Sequence, residues 1–427
     1  MAGSGKTLVL MRRARHLAEQ YPDARLLVMT FNVELAKDLR MRLPEQVEVA
    51  NFHKICRTIL GKAWQEPLKL RDWLRKYGRE TLIQIGITAE FAAGEFAWRR
   101  EMALLDDESY LEAERKGRGQ RLDRAKREAL NTLFNDYRLY QDDLREAGEA
   151  WCDWDDVAFL ALEWLQQSAV ASYQLPVTSQ LADDEQATEP VDSARVTRHS
   201  LLGAYDAIFL DEAQDFAPSW IRVTRALLKP NGILLICDDP AQCIFNAYNW
   251  HQKGLSVVGR TRILRVPFRS TREISQAAHS LIEADEALRG TEDRPEPDFT
   301  SYELGSGPLP ALIACADSDA ETAFVLEKVR ELLDAGLAAG QIAVLCHAKW
   351  HTERWRELRE QGVYVQYFDK MKGLEFPAVF VPHLHDAFPH ADDADAVTTM
   401  RRKVFTAMTR ARYRLTLTYQ GIGRAHV

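Results

Sequence analysis

The run Ala207-Ile208-Phe209-Leu210 ends in Asp211-Glu212-Ala213-Gln214-Asp215, and no other stretch limits the fold as much. A short apolar run that stops at charge reads as a buried parallel strand. The adjacent carboxylates stand at its C-terminal end, where open α/β sheets place their ligands. An Asp there suits Mg²⁺, which takes one or two carboxylates plus substrate phosphates. The neighbouring Glu is then placed to orient and deprotonate a water. A solvated turn has the same local pattern, and the N-terminus decides between the two.

Ala2-Gly3-Ser4-Gly5-Lys6-Thr7 is the end of a phosphate-binding loop, G-x-x-x-x-G-K-[ST]. Its glycines let backbone N–H groups of Gly3, Ser4 and Gly5 close around phosphate oxygens at a helix N-terminus. Lys6 would reach the β/γ phosphates, and the Thr7 hydroxyl would join Asp211 on Mg²⁺. Leu8 to Gln20 has the helical spacing this loop needs. The loop's first glycine would fall before Met1, and the strand that feeds such a loop would lie further upstream. Ile422–Val427 matches one reading frame of a common sequencing-adapter sequence. The expectation is a piece of a longer gene with a non-native tail.

At 427 residues the chain has room for two or three domains. With 46% hydrophobic and 28% charged residues it reads as a globular protein. No apolar run approaches the roughly 20 residues of a membrane span, and no signal peptide is evident. The six cysteines form no C-x-x-C pair and no zinc spacing, so buried thiols in a reducing cytosol are expected. At a net charge of −8, nucleic acid must be met by a local basic groove.

Along the chain, Arg25–Phe31 and Val47–Asn51 read as strands, with Phe31 and Phe52 at their ends. Such aromatics either fill a core or stack on bases that cross the sheet edge. Residues 61–167 read as a helical insertion with six tryptophans, its most basic part being Glu114–Arg127. Residues 168–200 read as a flexible connection. Gly232–Cys237 (GILLIC) reads as another buried strand, running into Asp238-Asp239-Pro240-Ala241-Gln242. The Gln242 amide would sense a terminal phosphate. Phe245, Tyr248 and Trp250 would stack on bases, worth about 1–3 kcal/mol each. Thr261–Val266 reads as a strand leading into Phe268-Arg269-Ser270-Thr271. Strand–helix alternation resumes after 300, which gives a second α/β domain.

In this order the stretches resemble the UvrD/Rep-like superfamily 1 DNA helicases. Ala2–Thr7 resembles motif I, and Thr30-Phe31-Asn32 and Asn51-Phe52-His53 resemble motifs Ia and Ib. Asp211–Asp215 resembles motif II, Asp239–Phe245 motif III and Phe268–Thr271 motif IV. Lys372–Phe376 (KGLEF) resembles motif V, and Phe405–Ala411 motif VI. The resemblance implies two RecA-like domains with parallel sheets, residues 1–60 with 201–265 and residues 266–427, holding ATP and Mg²⁺ between them. It implies 3′ to 5′ movement on single-stranded DNA and duplex unwinding. Glu212 would be the general base, and Gln242 would sense the γ-phosphate. Arg269 and Arg410 would reach across the cleft to the transition-state charge. Phe268 would stack on adenine in place of a tyrosine, and Glu375 would contact the ribose. Phe31, Phe52, His53, Phe245, Tyr248, Trp250 and Lys372 would line the DNA path.

The chain departs from the family pattern at Asp238 (usually Gly), Asp369 (usually His) and Ala247 (a Trp in some relatives). The Asp369 change bears on coupling between ATP and DNA. Only about a hundred residues separate Arg269 from Lys372. That spacing fits compact helicases of the sort attached to nuclease-type or antiphage partners. Two other readings stay open: a nucleic-acid-stimulated ATPase that does not unwind, and a fragment that only binds DNA or a partner.

Overall fold

The structure is a computed structural model. It describes residues 3–61, 70–115, 121–147, 153, 156–174, 202–243, 248–283, 297–301, 305–371, 373–388 and 394–421, with only the backbone of residues 34, 168–174 and 394–395. Two all-parallel sheets organise it. The first has strand order β2-β1-β3-β4, from β1 (Leu26–Thr30), β2 (Val47–Asn51), β3 (Tyr205–Asp211) and β4 (Leu228–Ile236). The second has order β5-β9-β8-β6-β7, from β5 (Ala311–Cys315), β6 (Ile342–Cys346), β7 (Tyr364–Tyr367), β8 (Phe376–Val381) and β9 (Ala411–Gln420).

Apolar runs without alternation produce strands buried on both faces, because helices cover each side of a parallel sheet. In β1, Leu27 and Met29 enter one core while Leu26 and Val28 enter the other; in β3, Ile208 and Leu210 oppose Ala207 and Phe209 in the same way. The second sheet repeats this, with Ala343 and Leu345 of β6 on one face and Ile342, Val344 and Cys346 on the other. The covering helices of the first sheet include α1 (Lys6–Gln20), α2 (Val33–Arg42) and α3 (Phe52–Leu60).

The expected helical insertion contains α4 (Leu70–Lys76), α5 (Arg79–Ile85), α6 (Ala89–Glu101), α7 (Asp107–Glu112), α8 (Arg124–Glu146) and α9 (Asp156–Gln174). It has its own core around Trp73, Phe96, Phe134 and Tyr137. The last helix continues past 167, so part of the expected flexible connection is helical. Next come α10 (Pro218–Leu227) and, in the second unit, α11 (Arg272–Ile282), α12 (Ser318–Asp334), α13 (Arg356–Glu360), α14 (Leu384–Ala387) and α15 (Ala394–Met408).

Two expectations need correction. GILLIC is not fully buried: β4 is the edge strand of the described sheet, with Ile233 43% exposed and Leu234 to Ile236 half-buried. Thr261–Val266 forms no strand. It lies at the surface, and its described backbone bonding to a neighbouring segment is Asp298 N–H donating to Arg265 O at 3.0 Å, so the pattern finds no ladder. Among the described residues no helix is long and apolar enough to cross a membrane.

Candidate active site

Gly3 and Gly5 adopt φ of 68° and 84°, the left-handed region where a Cβ is strained. Gly3 is doubly constrained. An added Cβ would lie 2.5 Å from Arg269 Cβ, and Gly3 O accepts from Arg269 N–H at 3.2 Å. Gly5 is the N-cap of α1, and Ser4 beside it is buried. The loop therefore offers a helix N-terminus to an anion.

Thr7 Oγ1 donates to Asp211 Oδ2 at 2.7 Å, where β3 ends. Asp211 is 1% exposed. Burial and the charge of Glu212 push its carboxyl up to about 7. A buried carboxylate this unfavourable beside a hydroxyl is a donor set that gains from a hard cation, so these two residues fit Mg²⁺. Glu212 itself has φ 55°, a left-handed conformation rare for a residue with a side chain. Such strain persists where the surroundings over-determine it. Here Gln214 Nε2 donates to Glu212 Oε2 at 2.5 Å, while Gln214 Oε1 accepts from Asp239 N–H at 2.9 Å.

Asp239 is the hub of the site. Its Oδ2 lies 3.3 Å from Lys6 Nζ and accepts from Gln242 Nε2 at 2.8 Å. Burial alone would raise this carboxyl, but Lys6 and the Gln242 amide hold it well below the usual carboxylate range. Burial alone would likewise lower the Lys6 ammonium, but Asp239 and Glu212 raise it. Lys6 is thus a fixed cation where phosphate is expected.

The second sheet completes the cleft. Arg410, fully buried just before β9, donates from Nη2 to Gln242 Oε1 at 2.5 Å and from Nε to Thr406 O at 3.0 Å. Burial and neighbouring Arg269 push its guanidinium down to about 9; an arginine remains charged at neutral pH. Arg269 Nε sits 2.7 Å from Glu375 Oε1, so two residues expected on the nucleotide hold each other. Phe268 beside them is 54% exposed.

The expected DNA-facing residues divide. Phe31 stacks on Trp220 with ring centroids 5.5 Å apart, and His53 meets Trp220 edge-on at 5.1 Å. Burial, then Arg57, lowers the His53 pKa to about 4, so it is neutral at pH 7. Phe52 is 0% exposed and stacks on Trp220 at 4.6 Å. It is a core ring and has no face for a base. The Tyr248 hydroxyl donates to Glu101, and half-buried Trp250 packs on the first core with Lys253 Nζ 4.7 Å above its ring. Ala2, Phe245 and Lys372 lie outside the described residues. Sequence reasoning gave no role to Asp239, Gln214 or Trp220. The acidic pair ending GILLIC was the available signal for Asp239; nothing local distinguished Trp220 from a core tryptophan.

Residues 1–252 match the family described as UvrD/REP helicase N-terminal domain, and residues 368–421 the UvrD-like helicase C-terminal domain. A Mycoplasma capricolum protein described as a probable DNA helicase II homolog is 22% identical over 88% of this chain and 50% of its own length. The ATP-dependent DNA helicase UvrD2 of Mycobacterium bovis is 23% identical over 86% of the chain and 52% of its own length. The chain spans about half the length of these relatives. A solved C-terminal domain of a Lactobacillus protein, described as a possible DNA helicase, covers 36% of the chain, and 88% of its own is matched, at 19% identity and a TM-score of 0.27. With the first model covering more than half of its residues, the chain belongs to the UvrD/REP helicase family.

Proposed function

We propose that this chain is an ATP-driven motor of superfamily 1. It would move 3′ to 5′ on single-stranded DNA and unwind duplex by opening and closing two RecA-like lobes, residues 1–60 with 201–265 and residues 266–427. The observation that carries the reading is the chain of contacts Lys6–Asp239–Gln242–Arg410, which links the first sheet to the second. A phosphate at Lys6 would be sensed by Gln242 and felt at once by Arg410.

Glu212 would take a proton from the attacking water, its carboxylate aimed by the Gln214 amide. Lys6 and the loop N–H groups would hold the phosphates, while Arg410 and Arg269 would stabilise charge that develops in transfer. Mg²⁺, held by Thr7 and Asp211, would supply charge neutralisation at the phosphates. Phe268 would stack on the adenine. Glu375 would let go of Arg269 to meet the ribose. On the other side of the first lobe Phe31, His53 and Trp220 would take and release bases, with Tyr248, Trp250, Phe245 and Lys372 further along the strand. The short span from Arg269 to Lys372 supports a compact form that works beside a nuclease-type or antiphage partner.

The test is ATP hydrolysis with and without single-stranded DNA, run beside strand displacement on duplexes with 3′ or 5′ tails. Stimulated hydrolysis with displacement from the 3′ tail is expected. A second reading, stimulated hydrolysis without unwinding, is favoured by one observation. Asp369, where the family usually has His, is fixed by Lys403 at 2.7 Å. Hydrolysis without displacement would select it.

A further inference from the structure

We propose that the C-terminal edge of the second sheet carries a zinc-class transition-metal site built from His351, His383 and Asp386. One donor atom from each lies within 4.8 Å of the other two. His351 stands in the turn after β6, and His383 and Asp386 follow β8, its sheet neighbour. The nucleotide residues Glu375 and Arg410 instead precede β8 and β9. The six-residue β8, roughly 20 Å long at about 3.3 Å per residue, separates the two places.

Preparation of His383 is what distinguishes this cluster from an accidental one. Its side chain is 2% exposed, and its Nδ1 lies 3.0 Å from Glu321 Oε2. That contact orients the ring, with Nδ1 toward the carboxylate and Nε2 facing away from it. Nε2 is buried and has no hydrogen-bond partner. An imidazole oriented by a carboxylate at one nitrogen and open at the other is the arrangement of metal-ligating histidines. A buried polar atom left unpaired otherwise costs about 1–3 kcal/mol.

Glu321 is itself held firmly. It is 0% exposed and accepts from His383 N–H at 2.9 Å, Thr418 Oγ1 at 2.5 Å and Gln420 Nε2 at 2.6 Å. The His383 backbone sits at φ 59°, one of three described non-glycine residues in the left-handed region. Asp386 has its own support: His385 Nε2 lies 3.3 Å from Asp386 Oδ2 while His385 Nδ1 accepts from Gln420 N–H at 3.1 Å. His347 packs beside His351 with centroids 4.5 Å apart, and its Nδ1 is also buried without a partner.

A tetrahedral ion bound at about 2.0–2.1 Å needs donors a little over 3 Å apart. His383 is fixed, so the half-exposed His351 and the exposed Asp386 are the groups that close in. Imidazole and carboxylate donors favour Zn²⁺ and its neighbours over Mg²⁺. Three protein ligands leave a fourth position for water or His347.

The purified full chain, stripped with chelator, is titrated with Co²⁺ and then Zn²⁺. One equivalent of Co²⁺ should produce the visible bands of a four-coordinate N/O site, without a near-ultraviolet thiolate band, and Zn²⁺ should displace it. His351→Ala and Asp386→Asn, whose side chains reach the surface, should each lower affinity at least 10-fold while circular dichroism stays unchanged. Glu321→Gln should weaken binding by roughly 10–100-fold, as loss of an orienting partner does. A spectrum with thiolate character, no stoichiometric binding, or equal affinity in the His351 and Asp386 variants would overturn the assignment.

Discussion

Arg410 Nη2 donates to Gln242 Oε1 at 2.5 Å, although Gln242 follows β4 of the first sheet and Arg410 precedes β9 of the second. Gln242 in turn donates to Asp239, the partner of Lys6. Arg410 is buried close enough to Arg269 for the two like charges to repel. An anion between them would relieve that cost, which would couple phosphate binding to closure of the two lobes. Arg410→Ala should therefore lower kcat for ATP by 10³-fold or more while nucleotide affinity falls far less. Steady-state hydrolysis beside equilibrium nucleotide binding measures the split; equal losses in both would assign Arg410 to ground-state binding.

Glu212 is held in a left-handed backbone with its carboxylate on the Gln214 amide. Glu212→Gln keeps size and hydrogen bonding but removes the base. Hydrolysis should drop by about 10²–10⁴-fold, with ATP binding retained. Turnover near the parent rate in a single-turnover assay would remove Glu212 from the role.

The strands with two buried faces were legible in the sequence, since β1, β3 and β6 are apolar runs that stop at a polar or aromatic residue. The glycine turn before α1 and the acidic end of β3 were legible because each lies in a short contiguous stretch. What failed depended on neighbours. GILLIC has a core strand's composition but an edge place among the described strands, and 261–266 meets no ladder. Phe31 and Phe52 look equivalent in sequence, yet Phe52 is fully buried and Phe31 only half-buried. The His351–His383–Asp386 cluster joins segments some thirty residues apart, so cysteine-based zinc spacing gave no hint of it.

That contrast between the two phenylalanines is measurable. Phe31→Ala should weaken single-stranded DNA binding by about 1–3 kcal/mol with little change in stability. Phe52→Ala removes a ring with no exposed surface and should cost about 3–5 kcal/mol of folding free energy. Fluorescence anisotropy with labelled oligonucleotide and chemical denaturation separate the two. Loss of DNA affinity in neither variant would take this face of the sheet off the DNA path.

Asp238 gives a pH signature. Burial, then the adjacent Asp239 charge, raises its carboxyl to about 6, above the ordinary value of about 3.9. The folded chain then binds an extra proton between those values. Its contribution to stability is greatest below about 4, declines as pH rises through 6 and stays low above that. Asp238→Asn should flatten that slope and add about 1 kcal/mol at pH 7.5, a value reduced for the half-exposed position of the group. Thermal midpoints of both proteins at pH 5 and 7.5 test this; parallel shifts would show that Asp238 titrates normally.

The helical insertion offers the last test, of a buried ion pair. Arg100 and Asp156 are 1% and 5% exposed and lie 2.5 Å apart, with Gln141 Nε2 donating to Asp156 Oδ2 at 2.6 Å. They tie α6 to the start of α9, whose Val157, Ala161 and Leu165 lie in the core of the first sheet. Removing Arg100 alone strands a carboxylate in the core, and Arg100→Met should cost about 3–5 kcal/mol. Replacing both, with Arg100→Met and Asp156→Leu, removes both desolvation costs and should recover most of that loss. A double variant as unstable as the single one would mean that Gln141 and the backbone of Asp153, which also donates to Asp156 at 2.9 Å, depend on the carboxylate more than Arg100 does.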